Sequence, residues 1–160
     1  MFREMRRGRQ QLAQDECEEI LARATSGVLS VLGDDGYPYG VPLSHVFADG
    51  TVYLHCALEG HKVDALRAEP KCCFTVVERD DVVEEEYTTR YRSVVAFGHA
   101  RFLAGDEKRA AALLLANRLS PSMAEGNPEH VEAGLARMEM VAIDVDHLTG
   151  KQSRELAAGR

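Results

Sequence analysis

Two alternating runs meet across Ala48-Asp49-Gly50, and this turn constrains the chain more than any other feature. Asp and Gly accept positive φ at little cost, so the tripeptide predicts a tight hairpin. The flanking runs, residues 41–47 and 51–57, are then antiparallel partners. Further strand-like runs fall at 27–32, 71–78, 92–103 and 140–145, with a strong turn signal at Gly33-Asp34-Asp35-Gly36 between the first two strands. Helical patterns cover 11–24, 61–68, 106–119 and 128–138. In the first of these, Cys17, Ile20, Leu21 and Ala24 keep the i, i+3, i+4, i+7 spacing of one apolar stripe. Pro70 stops the second, and Asp106 is a candidate cap for the third. The acidic stretch 80–87 reads as a loop, and Gly98 marks a bulge or a close backbone approach. The order α-β-β-β-α-β-β-α-α-β lacks the strand–helix alternation of a doubly wound parallel sheet. It predicts a mostly antiparallel barrel with helices packed outside.

The 160 residues suit one domain, with no linker or repeat, so residues 1–160 are expected to form a single unit. No apolar run approaches the roughly 18 residues of a membrane span. The charged N-terminus is followed by no apolar stretch, so no secretory signal is expected and the cytoplasm is the expected compartment. A net charge of −7 disfavours nucleic acid as a partner. The basic residues are clustered all the same. Arg3, Arg6, Arg7 and Arg9 crowd the N-terminus, where solvated surface charge is the expected reading, and Arg90 and Arg92 sit together. Cys17, Cys56, Cys72 and Cys73 have no zinc or redox spacing and are read as reduced and structural.

Tyr53-Leu54-His55-Cys56 and Gly60-His61-Lys62 form the most informative segment. In a strand, Val52, Leu54 and Cys56 share an apolar face, and Tyr53 and His55 share a face suited to a polar ligand. Gly60-His61-Lys62 then opens a helix. Unpaired N–H groups, the positive helix end and the Lys62 ammonium together make a candidate phosphate site, although Gly and Lys at a helix start are also ordinary surface residues. Pro38 and Pro42 keep 37–44 extended and remove amide donors, which suits an edge strand with free backbone groups. Arg92 and Ser93 could donate to a phosphate or carbonyl. No P-loop, Rossmann glycine motif, catalytic triad or metal spacing is present, and no residue stands out as a catalytic acid or base.

These segments, in order, resemble the pyridoxamine 5′-phosphate oxidase-like flavoproteins, the FMN-binding split barrels, and within them the nitroimidazole-resistance-type branch. The resemblance is carried by Gly27-Val28-Leu29-Ser30, Asp35-Gly36-Tyr37-Pro38-Tyr39 with Pro42, Tyr53-Leu54-His55 with Gly60-His61-Lys62, Tyr91-Arg92-Ser93-Val94 with Phe97-Gly98, and Thr149-Gly150-Lys151. It implies a mainly β (α+β) fold, an antiparallel six-stranded split barrel with Greek-key connections and peripheral helices. It implies a homodimer with FMN at the subunit interface and His61 and Lys62 at its phosphate. Tyr39, Val41, Pro42 and Leu43 would line the isoalloxazine, with His55 close by and Ser93 in contact from a neighbouring strand. Lys151 would approach from the partner subunit. The implied chemistry is that of an FMN-dependent oxidoreductase on a small-molecule acceptor such as a nitroaromatic compound, with NAD(P)H a candidate donor. A non-enzymatic flavin module, and a haem- or deazaflavin-binding barrel, are the alternatives. The chain has no Trp, unlike the Arg- and Trp-containing end of the pyridoxamine phosphate oxidases proper, so vitamin B6 oxidation is not expected.

Overall fold

The computed structural model describes residues 1–158. Seven strands form one antiparallel sheet in the order β2-β1-β5-β6-β7-β4-β3. They are β1 Ser26–Leu32, β2 Pro38–Ser44, β3 Val46–Ala48, β4 Thr51–Cys56, β5 Lys71–Val83, β6 Thr88–Phe102 and β7 Glu139–Gln152. Helices α1 Gln14–Arg23, α2 His61–Ala68, α3 Gly105–Leu119, α4 Asn127–Gly134 and the short α5 Arg154–Ala158 stand around the sheet. β2 and β3 are its two edges, yet they are consecutive in the chain, so the sheet has to curl to bring them together. No ladder joins them among the described residues, and this open seam is the split of an α+β antiparallel barrel.

The barrel has seven strands rather than six because the expected strand 41–47 is broken at His45. The His45 backbone N–H donates to the Thr25 carbonyl at 3.1 Å. Its imidazole is fully buried, with Nε2 3.0 Å from the Leu21 carbonyl. Anchoring to α1 and to the chain before β1 turns the backbone out of one ladder and into the next. Residues 80–87 are not a free loop either. β5 continues to Val83 and β6 begins at Thr88, so the acidic stretch is mostly a hairpin tip beyond a bulge at Val77/Arg79. Arg79–Asp81 and Arg90–Glu86 ion pairs offset its charge. β7 extends past Val145 to Gln152, so Lys151 lies within a strand rather than just after one. Gly98 does mark a register shift, between Phe97 and Gly98, where a side chain would collide with the Asp144 carbonyl. Asp106 does not cap α3: Ala104 is the cap position, and Asp106 pairs with Arg109 in the first turn.

The interior is built by period-2 alternation. Leu29 and Val31 of β1, Leu54 of β4, Phe74 of β5, Val94 of β6 and Ile143 of β7 point inward, and Ile20 and Leu21 of α1 and Val63 and Leu66 of α2 close the barrel ends. Burying each large side chain contributes about 1.5–3 kcal/mol. A second core lies outside the sheet, where Ala112, Leu115 and Val131 of α3 and α4 cover Met140 and Ala142 of β7 and Val46 of β3. Residues 140–143 of β7 are therefore buried on both faces, which accounts for their unbroken apolar run. The outer faces of β1 and β5 are less covered: Val28 is 37% and Val77 63% exposed. All four cysteines are free, with three buried and Cys73 intermediate.

Candidate functional site

The helix start at Gly60-His61-Lys62 is uncapped and tied to β2. Gly60 has φ +127°, a region that L side chains rarely adopt, and a Cβ there would meet open space. Its carbonyl accepts from Val63 N–H at 2.8 Å and Asp64 N–H at 3.1 Å, and no side chain caps the helix. The first N–H groups of α2 therefore face outward without a helical acceptor. The His61 ring stacks on Tyr39, with centroids 4.2 Å apart and planes at 12°. Its Nε2 lies 3.4 Å from the Asp34 N–H and 3.7 Å from the Asp34 carboxylate. Gly33 makes the fit possible, since a Cβ there would stand 3.0 Å from His61 Nε2 and 3.1 Å from Tyr39 Cβ. Lys62 is half-buried and forms no ion pair within the described residues. Its charge lowers the Cys56 thiol, but burial outweighs it and the thiol is raised.

β2 divides its residues between two faces. Tyr39, Val41 and Leu43 pair with Val31, Leu29 and Gly27, and Tyr39 and Leu43 pack on the interior core. Pro42 pairs with Val28 and is exposed on the outer face. A second pair forms at the other end of the barrel, where Ser93 of β6 stands directly opposite Lys151 of β7. Lys151 Nζ lies 5.1 Å from the centre of the Tyr91 ring, and the strand there is bridged by Gln11.

His55 pairs with Met140 and is exposed. It borders a cavity of about 230 Å³ under α3 and α4, which also includes Leu115, His130 and Met138. The Tyr53 half of the supposed ligand face packs against this helical core instead.

The chain thus brings His61 to Tyr39, and Ser93 to Lys151, but not one pair to the other. Ser30, Cys73 and Phe97 share one row across β1, β5 and β6. Gly33, beside His61, is three residues beyond that row and Ser93 is four residues the other way. At roughly 3.3 Å per residue the two pairs are about 20 Å apart along the strands. Around Lys151 the structure also gathers Arg6 and Arg7, expected as solvated surface charge and exposed, together with the exposed Arg154. The only signal for them was an N-terminal arginine cluster in an acidic chain.

The sequence model of the family described as Pyridoxamine 5'-phosphate oxidase matches residues 13–152. No curated protein matches the chain by sequence. Among solved structures, one similar fold is a proposed 5-nitroimidazole antibiotic resistance protein of Bacteroides thetaiotaomicron. It has 23% identity and a TM-score of 0.75, over 88% of this chain and 85% of that one. A conserved hypothetical protein of Mycobacterium tuberculosis has 19% identity and a TM-score of 0.78, over 96% and 92%. The FAD and heme binding protein of Mycobacterium smegmatis has 21% identity and a TM-score of 0.76, over 94% and 80%. The fold is theirs, and with its sequence model spanning nearly the whole barrel, the chain belongs to the pyridoxamine 5'-phosphate oxidase family.

Proposed function

We propose that the protein is an FMN-binding oxidoreductase that acts on a small-molecule acceptor such as a nitroaromatic compound and works as a homodimer with the cofactor at the subunit interface. The observation that carries the reading is the uncapped α2 start: outward N–H groups, an unpaired Lys62 and a His61 ring fixed by Tyr39. That donor set suits a phosphate dianion. Bound FMN would supply the redox chemistry, accepting a hydride and passing electrons on. The chain's own residues would do the rest. Lys62 and the helix start hold the phosphate, and Tyr39 keeps His61 from rotating away. Pro42 leaves one backbone position without a donor beside the ring system. Ser93 and Lys151 offer a hydroxyl and an ammonium whose position is set by Tyr91.

The same geometry supports the homodimer. Ser93 and Lys151 lie about 20 Å along the strands from the His61–Tyr39 pair, and a second copy would bring its own Ser93 and Lys151 to the flavin. The exposed Val28 and Val77 give the uncovered sheet face something to bury. An obligate interface of this kind covers on the order of 2,000 Å².

The purified protein is expected to be yellow, with flavin absorption bands and FMN as the molecule released on heating. A colourless protein that takes up no added FMN refutes the proposal. A Soret band in place of flavin bands supports haem, a reading favoured by the heme binding that the Mycobacterium smegmatis neighbour's name records. FMN that is bound but neither reduced by NAD(P)H nor reoxidised by any acceptor points to a binding module. The dimer is checked by light scattering, where a monomer contradicts it.

A further inference from the structure

A cavity of about 710 Å³ opens between the N-terminal segment and α5, and its walls include Arg6, Arg7, Arg9, Gln10 and Arg154. Arg7 also lines two adjoining cavities. One reaches Lys151, and the other runs along Tyr91 and Ser153. None of Arg6, Arg7, Arg9, Lys151 and Arg154 forms an ion pair within the described residues. Elsewhere seven described arginines pair with carboxylates, among them Arg101 with Asp144 and Glu107 and Arg109 with Asp106 and Glu132, while Arg118 and Arg137 bond to backbone carbonyls. Carboxylates are not scarce, with 26 acidic residues against 19 basic ones. Only Glu155 lines any of the three cavities.

The walls are anchored rather than loose. Leu12 N–H donates to the Gly150 carbonyl at 2.9 Å, Ser153 N–H donates to the Tyr91 carbonyl at 2.9 Å, and Gln11 bridges to Lys151. Gln10 is only 8% exposed, and its Oε1 is buried without a partner. An amide can present either its oxygen or its nitrogen at such a position, so Gln10 can also be a donor there. Clustered guanidinium groups repel one another when nothing lies between them. An anion removes that cost, and the planar guanidinium fork matches phosphate oxygens two at a time. The volume far exceeds that of one phosphate and falls in the ordinary range for small-molecule sites, roughly 300–1,000 Å³.

We propose that this arginine cradle binds the phosphate or pyrophosphate group of a dinucleotide-sized ligand, at a site distinct from the α2 start. The site needs no flavin, so it goes beyond the function proposed above.

The test is calorimetric titration of the full chain with inorganic pyrophosphate, then with NADPH, NADH and FAD. Pyrophosphate is expected to bind the unmodified protein. Arg7→Gln and Arg154→Gln are each expected to weaken it roughly tenfold or more, while FMN affinity changes less than about twofold. Arg154→Lys, which keeps the charge, should lose less than Arg154→Gln. Tighter binding of NADPH than NADH identifies an extra phosphate as the recognised group, and displacement of pyrophosphate by FAD identifies a flavin dinucleotide. No pyrophosphate binding at millimolar concentration, or equal binding by both Gln variants with unchanged melting temperatures, overturns the proposal. So does loss of pyrophosphate in Lys62→Ala alone. If FMN fails to bind while pyrophosphate still tracks the arginines, the cradle stands and the flavin reading falls.

Discussion

The α2 start and the arginine cradle both concentrate positive charge, but they come about in opposite ways. The first is nearly contiguous in sequence. Gly60, His61 and Lys62 are neighbours, and the helix itself supplies the N–H groups and the positive end. Only Tyr39 and Gly33 have to arrive from elsewhere. The second has no motif. Arg6, Arg7 and Arg9 precede the first helix, while Lys151 and Arg154 end the last strand and open the last described helix. They meet because the N-terminal segment pairs with the end of β7. A site that rests on backbone dipoles can be read from a short string. A site that rests on side-chain charge depends on which distant segments the sheet aligns.

Gly150 separates the two regions most directly. A Cβ there would lie 2.5 Å from Cys17 Sγ and 2.8 Å from Leu12 Cδ1, in the layer that seats the N-terminal segment. Gly150→Val is expected to destabilise the fold by about 1–3 kcal/mol and to weaken pyrophosphate binding more than FMN binding. Urea melts and the two titrations check this, and an equal loss of both ligands would mean that the regions are not separable.

Lys62→Ala is expected to weaken FMN binding by about 1–3 kcal/mol through loss of a charge-assisted contact. Fluorescence titration reads it, and unchanged affinity removes Lys62 from the site.

A smaller effect concerns His45, at the corner between β2 and β3. Burial lowers its pKa below the usual value. Its neutral form therefore contributes stability that is fully present above about pH 6.5 and is lost as the pH falls from there through the lower folded value. The melting temperature should drop between pH 7.5 and 5, and His45→Asn should flatten that curve. An identical slope in the variant would assign the drop to other groups.

The smallest effect separates the thiols beneath the two regions. Burial, with help from nearby carboxylates, pushes Cys17, under the cradle, up to about 11. Cys56 is also raised, but the Lys62 charge opposes the shift. In Lys62→Ala, Cys56 should become slower still toward a thiolate-specific reagent while Cys17 stays the same, as followed by mass spectrometry of the folded protein.

Much of the barrel was legible because its signals are local. The Ala48-Asp49-Gly50 hairpin, the apolar stripe of α1, the Pro70 stop and the alternation in β4 each depend on residues within a few positions of one another. The errors arose where a distant contact overrode a local pattern. His45 looked like the interior of one strand, but its bonds to Leu21 and Thr25 split that strand in two. The acidic run 80–87 looked like a loop, but pairing with β6 extended β5 through its first half, to Val83.

By itself, then, the sequence determined the element order apart from the break at His45 and α5, the antiparallel class, the inward-facing residues and the helix start at Gly60-His61-Lys62. All of these follow from chirality, periodicity and hydrogen bonding over short spans of chain. Tertiary structure alone decided that Ser93 faces Lys151, that this pair lies about 20 Å along the strands from the His61–Tyr39 pair, and that Arg154 joins the N-terminal arginines. Strand register and segment docking set those distances, and they depend on the packing of the whole barrel rather than on any one stretch of it.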